Sequence, residues 1–133
     1  MSTTQSTWWG GNNYSLEEQV IGTWIDGKPL YQKTIDCGTL PNAPNSVKQI
    51  DLQIQNLKAI LDIRGIAIGG STPSDASYMF PMNWLNLNDS ANSSLITVYY
   101  SGGTTKKLII GVGQDRSNVG VSYVTILYTK TTD

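Results

Sequence analysis

Few side chains in this sequence could carry covalent or metal chemistry. It has no histidine, which removes Ser-His-Asp and Cys-His nucleophilic sites along with His-based zinc or iron centres. Its one cysteine, Cys37, can build neither a thiolate cage nor an intrachain disulfide. A lone cysteine of this kind reads as a small buried hydrophobe. There is no G-x-x-x-x-G-K-S/T phosphate loop. Gly111-Val112-Gly113 begins like a dinucleotide fingerprint but lacks the third glycine and a following helix. No cofactor and no metal are expected.

Carboxylates remain. Asp26, Asp36, Asp51, Asp62, Asp75, Asp89, Asp115 and the pair Glu17-Glu18 are scattered along the chain. A glycosidase needs only two, roughly 5 to 10 Å apart across a groove. Most of these acids fall in expected turns, where aspartate is favoured for its local hydrogen bonds, so the chain reads as non-enzymatic, with no catalytic residue. Asn86 to Asp89 offers oxygens for calcium but lacks the D-x-D/N-x-D/N-G spacing.

Recognition is the chemistry left. Tyr78, Phe80, Trp84, Tyr99 and Tyr100 lie in or near expected loops and could stack on sugar rings, with Asn83, Asn86 and Asn88 bonding hydroxyls. The candidate glycan contacts are Tyr78, Trp84, Asn86, Tyr99 and Tyr100. A competing reading puts Phe80 and Trp84 in the core, because aromatics in β domains bury area before they bind anything.

The elements that would position these residues are strands. The 133 residues suit one modest core. With 14% charged residues and a net charge of -1, nothing favours nucleic acid or an anionic membrane as partner. No apolar run approaches the roughly 20 residues of a membrane helix, and the N-terminus lacks the pattern of a secretory signal. Asp26-Gly27 separates strand-like Val20 to Ile25 from Leu30 to Cys37. Further strands are expected at Val47 to Leu52, Lys58 to Ile68, Tyr78 to Met82, Leu95 to Tyr100, Lys106 to Val112 and Val119 to Thr129. Pro81 puts the short Tyr78 strand at an edge.

Two helical turns compete with this pattern. Val47, Ile50, Ile54, Leu57 and Leu61 form a three-and-four stripe, which allows a turn near Gln53 to Leu57, and Ser15 to Glu18 has capping-box spacing. The last strand bears on assembly. Val121, Tyr123, Thr125 and Leu127 share one face, Val124, Ile126 and Tyr128 the other, so both faces are largely apolar. A strand with one face in water should alternate apolar and polar residues; burial against copies of the same chain is the economical explanation, and a homo-oligomer is expected.

Residues 1–13 are polar and without period but carry Trp8 and Trp9. Two tryptophans suit either packing against the domain or an oligomer, or a peptide that docks on a larger assembly. The chain is read as a 1–13 tether followed by a 14–133 knob.

The stretch Tyr14 to Asp36, YSLEEQVIGTWIDGKPLYQKTID, resembles a recurrent module at the C-terminal ends of phage structural proteins, reading YS-x-x-E-x-x-V-G-T-W-I-D-G-K-P-I/L-Y-x-K-T. Cys37 to Asn42 fits that family's GxLPN turn, and Tyr123 to Asp133 looks like its closing strand. The resemblance implies an all-β protein, an antiparallel, jelly-roll-like β-sandwich knob assembled as a homotrimer on the tail fibres, baseplates or capsids of virions. Its partners would be other virion proteins and, for a receptor-binding tip, a host-surface glycan. It transfers no catalytic or binding residue. Trp24, with Trp8 and Trp9, is expected to anchor the core or an assembly interface. About thirteen residues precede the module here, where family members carry a long chain. That favours an appended decoration, a head-fibre piece or a small baseplate component, or a receptor-binding tail tip if Met1 is not the natural start.

Overall fold

The computed structural model describes residues 14–84 and 95–133. Every regular element among them is a strand: β1 (Gln19–Thr23), β2 (Pro29–Asp36), β3 (Ser46–Ile50), β4 (Leu57–Gly69), β5 (Tyr78–Pro81), β6 (Ile96–Ser101), β7 (Lys107–Val112) and β8 (Val121–Lys130). They form a five-stranded sheet in the order β1-β2-β8-β4-β5 and a three-stranded sheet in the order β3-β7-β6. The fold is all-β and sandwich-like, with antiparallel pairing in both sheets. The strands run where β-branched residues are dense, and their boundaries lie within a few residues of the expected ones.

Turn chemistry sets those boundaries. At the end of β1, Gly27 takes a φ of 82°, a conformation glycine enters without steric cost. Its N–H donates to the Trp24 carbonyl at 2.9 Å, and the Trp24 N–H donates to the Lys28 carbonyl at 2.8 Å. The Asp26 carboxylate accepts the Lys28 N–H at 3.0 Å. Pro29 then opens β2 opposite Thr23, and β5, which carries Pro81, lies at a sheet edge as expected.

Neither helical turn forms. Gln53 and Asn56 adopt left-handed φ angles of 55° and 60°, Asp51 accepts the Gln53 N–H at 2.8 Å, and the Asn56 carbonyl accepts the Thr131 N–H. The backbone groups a helix would have paired are satisfied as a turn instead, and the three-and-four stripe is a by-product of two strands meeting there. At Ser15 the hydroxyl accepts the Glu17 N–H at 3.0 Å and the carbonyl accepts the Thr34 N–H. Glu18 turns to β8 rather than back along a helix.

The chain divides into two compact units. The first comprises, among the described residues, 14–34, Ile54–Asp62 and Thr125–Asp133. At its centre Tyr128 is fully buried and stacks on Tyr31 with ring centroids 5.6 Å apart. The Tyr128 hydroxyl donates to Glu18 Oε1 at 2.5 Å and Lys130 Nζ donates to Glu18 Oε2 at 2.7 Å. The Tyr31 hydroxyl donates to Asp133 Oδ2 at 2.6 Å. Partial burial opposes charge on Glu18, but the hydrogen bonds from Lys130 and Tyr128, with the charges of Lys130 and Lys33, outweigh it and hold the carboxyl below its ordinary value.

These contacts predict a loss of stability in alkali. The hydrogen bond to Asp133, then desolvation, pushes Tyr31 up to about 12, and burial followed by the Glu18 hydrogen bond raises Tyr128 further. Both phenols ionise more readily in the unfolded chain. Their contribution is therefore complete below about pH 10 and declines as pH rises through the folded-state values. Urea unfolding between pH 9 and 12 should show this decline, with a shallower one in Tyr31→Phe with Tyr128→Phe; equal slopes would refute the assignment.

The second unit comprises Ile35–Gln53 and Ile63–Val124. Its core is built on β7, where Leu108, Ile109, Ile110 and Val112 are all buried. Ile96 and Val98 of β6 pair with Val112 and Ile110, so these four side chains share one buried face. Cys37 is buried, as its sequence context suggests, and burial pushes its thiol up to about 12. Lys48 Nζ bonds the Cys37 and Thr39 carbonyls, the latter at 3.0 Å.

Candidate functional site

The turn between β1 and β2 displays apolar residues instead of burying them. Trp24 is 36% exposed and Ile25 89% exposed. Both precede the Asp26-Gly27 turn, whose backbone bonds hold the tip whatever those side chains do. Tyr14, Leu16 and Val20 in the same unit are exposed as well. Trp24 is thus not a fully buried core residue. Ile25 was missed as a candidate because isoleucine at a strand end reads as core.

In the second unit β5 and its exit assemble a row of aromatics. Tyr78 and Phe80 pair with Gly69 and Ala67 of β4, so they project to the face on which Ala67 is buried. Their ring centroids are 6.2 Å apart, and Phe80 lies 6.1 Å from Trp84. Trp84 is fixed by a two-way backbone bridge to Ile96, each N–H to carbonyl distance being 2.9 Å. Asn83, at a φ of 69°, uses its side-chain oxygen to accept from the Thr97 hydroxyl and the Val98 N–H at 3.0 and 3.1 Å. The Arg116 guanidinium carbon stands 5.3 Å from the Phe80 ring centroid.

The row is accessible at its ends. Tyr78 is 59% exposed and Trp84 37%, while Phe80 is half-buried. The core reading therefore fails for Trp84 and is half right for Phe80. Of the other glycan candidates, Tyr99 and Tyr100 are consecutive on β6 and so point to opposite faces. Tyr99 is exposed and faces Ile109, and Tyr100 is half-buried beside Leu108. No single platform takes both. Trp8, Trp9 and Asn86, with Asn88 and Asp89, lie outside the described residues. Arg116, buried next to Phe80, was missed because an arginine in a Gln114 to Asn118 turn carries no sequence signal of an aromatic partner.

Several aspartates cap their own turns. Asp26, Asp36, Asp51 and Asp115 each accept the N–H two residues on, at 2.8 to 3.1 Å, the Asx-turn geometry that favours aspartate in loops. Asp75 accepts from the Ser77 hydroxyl at 2.7 Å and the Ser71 N–H at 3.3 Å. The Ser77 hydroxyl, before the backbone N–H groups, holds its carboxyl below the ordinary value, and the Ser117 N–H does the same for Asp115. Among the described residues no three His, Cys, Asp or Glu side chains cluster closely enough to hold a metal ion, and no helix is long and apolar enough to cross a membrane. No protein-family model, curated protein or solved structure matches this chain.

Proposed function

We propose that this chain is a non-enzymatic structural protein of a phage virion: a jelly-roll-like β-sandwich knob, assembled as a homotrimer, displayed on the particle surface and held to it through its N-terminus. The observation that carries this reading is the hairpin of the YSLEEQVIGTWIDGKPLYQKTID motif, which exposes Trp24 and Ile25 at a hydrogen-bonded turn. A recurrent motif that places large apolar side chains in solvent suits a surface that is covered in an assembly. The polar, nearly neutral surface and the turn-forming carboxylates fit a scaffold better than a reaction site.

Attachment is tested at the tether. Trp8→Ala with Trp9→Ala is expected to leave the domain folded while abolishing incorporation into particles, read by blotting purified virions. Normal incorporation of the double variant would sink the tether.

A second reading is favoured by the Tyr78–Phe80–Trp84 row: a receptor-binding tip that stacks host-surface sugars on Tyr78 and Trp84. Under it, Tyr78→Ala with Trp84→Ala should abolish binding of the knob to host cell-wall glycans without altering its melting temperature. Undiminished binding by that variant would exclude the row as the site.

A further inference from the structure

The second unit also leaves one face of its larger sheet apolar. Along β4, Ala67 and Gly69 are buried and alternate with half-buried Ile66 and Ile68. In the β4–β5 ladder Ile66 pairs with Pro81 and Ile68 with Met79, so these four side chains share the face opposite Ala67. Met79 is 65% exposed. On β8, next to β4 in the sheet, Ser122 and Val124 are buried, while Val121 and Tyr123 alternate with them and are each a little over a third exposed. Both faces of the strand carry apolar residues, as its sequence indicates, and between Val121 and Val124 only one face is fully buried. An antiparallel sheet with a solvated face carries polar residues there; this one carries Ile, Ile, Met, Pro, Val and Tyr.

We infer that a second copy of this chain packs on this face, and that the face is the self-assembly surface of the knob. The inference deepens the assembly part of the function proposed above and rests on it. Two features select another copy as occupant. The first is area: the six side chains expose on the order of 400 Å² of apolar surface, against roughly 450 Å² for the apolar share of one side of a standard protein interface. The second is charge. Asp36 alternates with buried Ile35 and Cys37, and Arg64 alternates on β4 in phase with Ile66, so the face carries an acid and a base. Two copies meet on it without net repulsion, whereas nucleic acid or another strongly charged partner gains nothing. Pro81 on β5 lacks an N–H, which disfavours extension of the sheet at that edge. Copies therefore associate through this face, around a common axis, rather than by adding strands.

Sedimentation velocity of the full chain tests this. Wild type should sediment as an oligomer at tens of micromolar, and Met79→Lys with Val121→Lys as a monomer, its dissociation constant raised roughly a hundredfold or more. The hairpin variant Trp24→Ala with Ile25→Ser should remain oligomeric. A far-UV spectrum matching wild type certifies the fold; if the lysine variant fails it, Met79→Ser with Tyr123→Ser serves instead, with a weakened oligomer as the expected result. An oligomer indifferent to changes on this face, or dissociated only by the hairpin variant, overturns this inference and leaves the proposed function standing. A wild-type monomer at the highest concentration overturns self-assembly in both.

Discussion

Replacing Tyr128 by alanine is expected to lower the free energy of unfolding by about 3–5 kcal/mol, the range for removing a large buried aromatic ring. Tyr128 is completely buried, stacks on Tyr31 and donates its hydroxyl proton to Glu18. The alanine variant leaves a cavity against Tyr31 and takes from the Glu18 carboxylate one of its two side-chain donors. Tyr128→Phe separates the contributions. It keeps the ring and loses only the donor, at a cost of about 1–2 kcal/mol. Urea titrations of the two variants check this: the alanine midpoint should fall well below the phenylalanine one. Equal midpoints would mean that the hydroxyl, not the ring, holds this unit together.

Gly69→Ala is expected to destabilise by about 2–3 kcal/mol, near the upper end for forcing one extra carbon into a packed site. A Cβ at Gly69 would stand 2.3 Å from the Asn118 carbonyl oxygen and 2.6 Å from the Val119 Cα. Both atoms are backbone, so no side-chain rotation relieves the clash. The segment is held in place as well, because the Asn118 side chain donates to the Gly70 carbonyl at 2.8 Å and the Asn118 carbonyl accepts the Gly70 N–H. Gly22→Ala is the control: nothing lies within 4 Å of its Cβ, and its melting temperature should stay close to that of wild type. A Gly69→Ala protein as stable as Gly22→Ala would show that this close approach is not maintained in solution.

The strands were legible because their signals are local. Asp26-Gly27 names its own turn, Pro81 its own edge, and the alternation in β8 its two faces. The helical stripe from Val47 to Leu61 left a turn near Gln53 to Leu57 open beside the strand reading, for a corresponding reason. Periodicity records apolar spacing but neither the Asp51 carboxylate that caps the Gln53 N–H nor the backbone bond from Thr131 to Asn56, whose partners are far apart in sequence. The candidate site was legible only in part. Tyr78, Phe80 and Trp84 are close enough in sequence that one strand and its exit bring them together. Tyr99 and Tyr100 look like neighbours in sequence, yet the pleat sends them to opposite faces. Arg116 reaches Phe80, and Met79 becomes an exposed face residue, through strand order that no local pattern records.

The proposed function makes this chain a component of the virion surface. Gold-labelled antibody raised against the folded protein, applied to intact particles of the phage proposed to carry it, reads that placement. Label is expected at fixed positions on the outside of the particles, with the chain recovered from purified virions by mass spectrometry. Unlabelled particles, with the chain found only in the soluble fraction of the lysate, would contradict it.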